Sequence, residues 1–348
     1  MVANNPGAPA PAELLSDLLD RGYTTATRQV IASLARDTET GPLADRLKAF
    51  DEHVAQLAAS GQTMSADDAY LKALLAEFGN SLRKGSLLID AAAPDVQQVG
   101  IDAAGNFVRQ TTLPGFTDQQ LASIGIGWNK PDPEAVAQTV NYTTSDPWKA
   151  ELASFGDLEN QVMMIAIRGI VAGQNPTTTA RDILEAIQSL PLWRANNIMR
   201  SLQLTAYRDA TVIEQLANAD ILEPEIIRIA ALDARTCMAC VALHGTKLPI
   251  GTRINDHRLG RCTSITQLTG RPRTIRTGIE WFNSLSESQQ QAQMGASAWS
   301  AWKAGAISLQ DYPKPTMDKV FGEVIVAASL KGLLGDAAQQ YYRNGRGR

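Results

Sequence analysis

The chain is poor in the residues from which reactive centres are usually built. Its 348 residues hold three cysteines and three histidines. It has no G-x-x-x-x-G-K-[ST] loop, no G-x-G-x-x-G turn, no H-E-x-x-H pair and no G-x-S-x-G elbow, which removes the common phosphate, dinucleotide, zinc-protease and hydrolase signatures. Aromatic residues make up 6%, and the abundance of Ala, Leu, Gln and Ile suits helices better than a sandwich. No apolar run is long enough to span a bilayer. The best, 162–172, contains Arg168 and falls well short of the roughly 20 residues needed, so no membrane contact is expected. A net charge of −4 is too small to make the whole molecule a polyanion binder. The first residues lack the basic and apolar parts of a secretory signal and read as a disordered leader, 1–16. Synthesis in a cytoplasm, with reduced thiols, is the expectation, and an odd number of cysteines argues against a disulfide framework.

Hydrophobic residues reach 44%, enough for a packed core, and the length allows two domains. Helical periodicity is clearest over 42–60, opened by Pro42, and over 65–82, with Leu71, Leu74, Leu75 and Phe78 on one face. Glycines and prolines crowd 86–150, which reads as an irregular arm with a hairpin near 106–112. Further on, 158–172 is apolar nearly all round and stops at Gly173. Asn175-Pro176 opens a helix to 188. Pro191 breaks the chain, and a helix over 194–217 presents Ile198, Leu202, Thr205, Val212 and Leu216 inward. The β-branched 226–232 reads as a strand. Thr277 and Glu280 form a capping box ahead of Trp281 and Leu285, and a last helix is predicted over 316–334. Trp281, Trp299 and Trp302 read as packing residues.

All three cysteines lie between 237 and 262. Cys237-x-x-Cys240 places two thiols on a tight turn, and His257-x4-Cys262 adds an imidazole and a third thiol. Four such ligands fill a tetrahedral Zn²⁺ and leave no open position, the pattern of a structural site. His244 competes with His257 for the nitrogen position; His257 is preferred because it pairs with Cys262 as a second arm. Reduced core cysteines, a redox pair and a Cys–His nucleophile are the competing readings. Asp233 and Arg235 read as a salt bridge or turn bond beside the metal rather than a catalytic pair. The same window is basic. Lys247, Arg253, Arg258, Arg261, Arg271, Arg273 and Arg276 stand against Asp256 alone, a set able to grip phosphates, or else a solvated face. Arg343, Arg346 and Arg348 form a second basic end.

The run D-A-R-T-C-M-A-C-V-A-L-H-G, then H-R-L-G-R-C-T, is similar to the head-morphogenesis domain of phage minor head proteins, the family that includes the F protein of phage Mu. T-G-I-E-W-F-N-S-L and M-G-A-S-A-W-S-A-W-K-A-G resemble its continuation. The resemblance spans about 157–312. Two positions depart from the pattern: Gly260 stands where relatives carry a cysteine, leaving Cys262 as the only thiol of the second arm, and Ser201-Leu202 stands where an acid is common. The resemblance implies a non-enzymatic protein of the virion, inside the head near the portal, acting in head assembly or DNA ejection. Its implied partners are the portal protein, the scaffold or major capsid protein, and non-specific double-stranded DNA. An ADP-ribosyltransferase-type effector and a zinc-dependent nucleic-acid-binding regulator are the alternatives. The expected architecture is α+β, mainly α. A helical region over 17–156 precedes a module over 157–312 whose small β element is stapled by zinc, and 313–348 supplies a helix and basic tail.

Overall fold

The computed structural model describes residues 25–344 except 124, 140, 142, 319 and 320; the leader and the positions of Arg346 and Arg348 lie outside them. The chain is mainly helical, with two small antiparallel sheets. It divides into two compact units that interleave along the sequence instead of following one another. One comprises Tyr23–Gln98 and Asn141–Gln203, and the other includes Val99–Val140 and Leu204–Arg348.

The first unit is all helix. It contains α1 (Thr25–Thr40), α2 (Pro42–Ala59) and the first part of α3 (Ala69–Thr112). After α4 (Asp118–Ser123) and α5 (Pro133–Thr139) of the second unit, it resumes with α6 (Asp146–Gly156), α7 (Leu158–Val171) and the first part of α8 (Pro176–Ala217). Phe50, Leu74, Phe78, Trp148, Phe155, Val162, Ile183 and Ile198 lie in its core. Asp68 caps α3 by accepting from the backbone N–H groups of Tyr70 and Leu71, and its other oxygen meets His53 at 2.6 Å.

Two expectations fail here. Residues 86–112 continue α3 as helix, so the irregular arm begins only after Thr112 and no hairpin forms at 106–112. Gly105 sits inside the helix, where a Cβ would meet the Glu214 carboxylate at 2.9 Å, and just before the stretch a Cβ on Gly85 would meet Leu34 at 2.6 Å and Phe155 at 2.9 Å. Pro191 likewise lies inside α8. Its helix-breaking cost of about 3 kcal/mol is offset by burial of Ile187, Ala195, Ile198, Met199 and Leu202 on the inward face, each large side chain worth roughly 1.5–3 kcal/mol.

In the second unit, β1 (Glu225–Ile229) is the centre of a three-stranded antiparallel sheet in the order β2–β1–β3, with β2 at Lys247–Pro249 and β3 at Thr263–Ile265. Ile227 pairs with Lys247 on one side and Ile265 on the other. Strand alternation sends Ile227 and Ile229 into a core with Phe107, Ala206, Tyr207 and Ala210, while Ile226 and Ala230 join Cys240, Ile254 and Cys262. The second half of α8 buries Arg208, Thr211 and Gln215 beside Ala206, Tyr207 and Ala210, and Asn218 just past its end is inside too, whereas Leu216 is 53% exposed, contrary to the predicted stripe. Short helices α9 (Met238–Leu243), α10 (Gly278–Asn283), α11 (Glu287–Met294) and α12 (Ala296–Lys303) pack around Phe282, Trp281 and Trp302. Thr277 and Glu280 form the capping box expected, although Leu285 falls beyond the helix end.

The predicted helix over 316–334 is instead a hairpin, β4 (Pro313–Asp318) and β5 (Gly322–Ala327), followed by α13 (Leu330–Leu334) and α14 (Gln339–Asn344). Gly322, at φ 72°, suits the turn, and the β-branched run Val324-Ile-Val favours a strand. A second β element therefore exists beyond the 157–312 module, where a helix is expected from the sequence.

Candidate metal centre

Asp233 opens the arm that carries the first two thiols. Its backbone N–H donates to Thr236 Oγ1 at 3.0 Å, and its carboxylate accepts from the Thr236 hydroxyl and the Arg235 N–H, each at 3.0 Å. This side-chain turn delivers Cys237 as the N-cap of α9, where its sulfur accepts the Cys240 N–H at 3.4 Å. Arg261 grips the same Asp233 through both guanidinium Nη atoms, so the Cys237 arm and the Cys262 arm share one ion pair. That bidentate bond, ahead of a smaller burial cost, holds the Asp233 carboxyl down at about 2. Asp233 and Arg235 thus form the turn bond expected from the sequence.

Cys237, Cys240 and His257 place ligand atoms within 4.8 Å of one another, and Cys240, Asp256 and Cys262 do the same. The two groups share Cys240. Side chains up to 25 residues apart therefore reach one half-buried pocket of soft donors, close enough together to hold a metal ion. Of the two competing histidines, His257 lies with the thiols, its Nε2 3.9 Å from Cys240 Sγ. His244 is elsewhere: its Nδ1 accepts the Ala230 N–H at 2.8 Å, and burial depresses its basicity. Leu259, between His257 and Cys262, holds the left-handed φ of 60°, a strain of about 1–2 kcal/mol of the kind that concentrates at functional loops.

Beneath the donors lies a charged set that the sequence reading left without a role. Asp256 is buried; its Oδ2 lies 3.5 Å from Arg208 and its Oδ1 3.7 Å from Arg228, both also buried. Burial opposes the Asp256 charge, but Arg208, His257 and Arg228 outweigh it and keep the carboxyl below its usual value. Arg228 Nε and Nη2 make no hydrogen bond. Burial works against this guanidinium too, yet neighbouring Cys262 and Asp256 leave its charge favoured. Orphaned buried donors beside a sulfur fit a centre in which that sulfur is a thiolate. The sequence did carry a signal. Arg228 interrupts an apolar strand, and a charge at an inward strand position requires a partner.

The metal-free pair Cys237–His257 yields a pH prediction. A hydrogen bond from Cys240 and another from His257, against burial, pull the Cys237 thiol down to about 5. The contact with Cys237, against burial and with Asp256 nearby, raises His257 to about 9. The Cys237 contribution to stability is present above its unfolded value of about 8.5 and is lost as pH falls through 5. The His257 contribution is full below about 6.5 and is lost as pH rises through 9. Thiolate and imidazolium coexist between those limits. At pH 7 in metal-free protein, iodoacetamide should label Cys237 well before Cys240, whose thiol is pushed up by Cys237, Cys262 and burial. Mass spectrometry of timed digests reads this, and equal labelling of the two would contradict it.

The seven cations of the basic window do not form one open surface. Lys247 meets Glu225 at 2.9 Å, Arg253 pairs with Asp209, Arg258 lies 3.9 Å from Asp318 and Arg261 holds Asp233. Arg273 donates to the carbonyls of Thr111 and Thr112 at the end of α3, and Arg276 to that of Glu280. Arg271 is exposed. Acids remote in sequence thus cancel part of the local excess.

No family model matches the chain, and neither the curated proteins nor the solved structures contain a match to it. No helix among the described residues is long and apolar enough to cross a membrane.

Proposed function

We propose that this chain is a non-enzymatic structural protein of a tailed-phage head, a minor head component working at the portal vertex in assembly or DNA ejection. We further propose that its second unit is stapled by one Zn²⁺ on Cys237, Cys240, His257 and Cys262. The observation that carries the metal reading is the gathering of these donors in two overlapping groups, Cys237, Cys240 and His257, and Cys240 and Cys262 with Asp256, which share Cys240 and come from α9 with its N-cap and from the loop before β3. Three thiols and an imidazole are the donor chemistry of a closed zinc site, and the orphaned Arg228 donors fit thiolate charge. When bound, the ion would supply a four-way cross-link and no reactive water. The head assignment is supported by the resemblance of the cysteine segment and the Trp299-x-x-Trp302-Lys303-x-Gly305 segment to head-morphogenesis proteins. Portal protein is the principal partner, with scaffold or major capsid protein beside it. Arg271, exposed and matched by no carboxylate in the described contacts, offers non-specific double-stranded DNA its first charge.

Elemental analysis of purified protein should give about one zinc per chain. A Cys237–Cys240 disulfide in folded, metal-free protein would exclude the site. Affinity capture of the tagged chain from a phage lysate should bring portal protein with it, and Cys237→Ser should reduce incorporation into heads while preserving helical circular dichroism. Normal incorporation of Cys237→Ser would reduce the metal to a passive staple; capture without portal protein would remove the vertex assignment.

A further inference from the structure

Five side chains, not four, offer ligand atoms at this centre, and Asp256 is the one whose role the ligand pattern leaves open. We propose that Asp256 is a positioning residue and not a ligand, a buried carboxylate locked between Arg208 and Arg228 that sets His257 and Cys262 for the metal. The inference rests on the zinc reading above.

The carboxylate is already occupied. Oδ1 accepts the His257 N–H at 3.0 Å and lies 3.3 Å from Cys240 Sγ, and Oδ2 accepts the Cys262 N–H at 2.9 Å. Two of the four proposed ligands, His257 and Cys262, therefore hang on one carboxylate by their backbone amides. Its side chain has no solvent exposure, and two guanidiniums lie within 3.7 Å. A second cation bound directly to it would be placed against both of them in a poorly screened interior. Arg208 extends the clamp by donating to the carbonyls of Gly260 and Cys262, so that α8 grips the loop whose amides Asp256 holds.

Gly260 supplies an independent sign of this role. A Cβ there would fall 2.1 Å from Asp256 Oδ2 and 2.2 Å from its Cγ. The loop passes so close to the carboxylate that no side chain fits between, and only glycine permits the approach. Charge also closes. Three thiolates and a divalent ion leave one negative charge, Asp256 adds another, and Arg208 with Arg228 return the buried set to neutrality. A buried ionic group is tolerated when it is paired and hydrogen-bonded in this manner. Groups that orient metal ligands in this way typically change metal affinity 10–100-fold when removed.

Co²⁺ titration of the full chain tests this, because its thiolate charge-transfer and d–d bands report the ligand set separately from the affinity. Wild type should bind one Co²⁺ with a tetrahedral spectrum of three sulfurs and one nitrogen. Asp256→Asn should keep that spectrum and lose about 10–100-fold in affinity. Gly260→Ala, which removes no donor and no charge, should do the same by pressing its methyl on the carboxylate, and it decides the matter if Asp256→Asn does not fold. Thr112→Val serves as the control. It deletes a buried hydroxyl contact with Thr266, so it should lower the melting temperature without changing Co²⁺ affinity. A spectrum altered by Asp256→Asn makes Asp256 a ligand and overturns the inference, as does unchanged affinity in both variants. Wild type that takes up no Co²⁺ overturns the zinc reading itself.

Discussion

With zinc in the proposed site, chelation should free the segment from Asn255 to Cys262 and loosen the β4–β5 hairpin with it, while the helices of the first unit keep their protection. The hairpin is tied to the loop at several points, one of them the Arg258–Asp318 pair. Ile325 donates its N–H to the Asn255 carbonyl at 3.3 Å, Asp256 and Ile325 form a parallel bridge, and Arg258 lies 5.0 Å over the Phe321 ring. Most of β4 is exposed, with Met317 at 74%, while both strands also pack on α9 and Val324 is buried, so the loop is one of two anchors of the ribbon. At free zinc a thousandfold above Kd, the ion contributes about 4 kcal/mol to the folded state, and its removal places that loss on the loop. Hydrogen exchange should show the amides of Gly260, Cys262 and Ile325 accelerating by orders of magnitude on chelation. Those of Val162, Ala166 and Ile183, in the core of the first unit, should not move. Uniform acceleration across both units would mean that the metal supports the whole chain; no change at all would mean that packing alone holds the loop.

The second large effect belongs to Trp148. It is 1% exposed in the first unit, and its indole N–H donates to Asp90 at 2.8 Å. Trp148→Ala should cost about 3–5 kcal/mol, from lost burial and the cavity left behind. Trp148→Phe keeps most of the apolar volume and releases the exposed Asp90 carboxylate to water, a loss of about 0.5–1.5 kcal/mol. Denaturant titration followed by circular dichroism measures both. If the Phe variant falls as far as the Ala variant, the hydrogen bond outweighs the packing.

How far the sequence could be read depended on which physical signal each segment carried. The helix beginning at Pro42 and that over Leu158–Val171 are regular apolar patterns with clear stops, and they stand where periodicity put them. Residues 86–112 misled because glycine was taken as punctuation. In α3 it is a packing residue, and a Cβ on Gly105 would meet Glu214 at 2.9 Å. The segment 316–334 misled because Val320, Val324 and Ala328 recur every four residues, a helical spacing that also fits a strand turning back on itself. Cys237, Cys240, His257 and Cys262 were legible because their residue types are rare in this chain and their spacing is that of a metal site. Arg208, Arg228 and Asp256 were not, since a charged residue reads as solvated until the fold shows it buried. Asp256 reads as the lone negative in a basic stretch, although the cations arranged around it, Arg208 and Arg228, come from outside that stretch.

The interleaving of the two units has a consequence for biosynthesis. Ile101, Ala104 and Phe107 of α3 find their apolar partners in Tyr207, Ile227 and Ile265, which leave the ribosome far later. At roughly 5–20 residues per second, that face waits on the order of ten to thirty seconds before its complement exists. Throughout that interval a nascent chain displays unpaired apolar surface to every neighbouring polysome. Bacterial yield of soluble protein should therefore respond to chaperone supply and to translation speed between residues 107 and 265 more than to the final stability of the folded molecule.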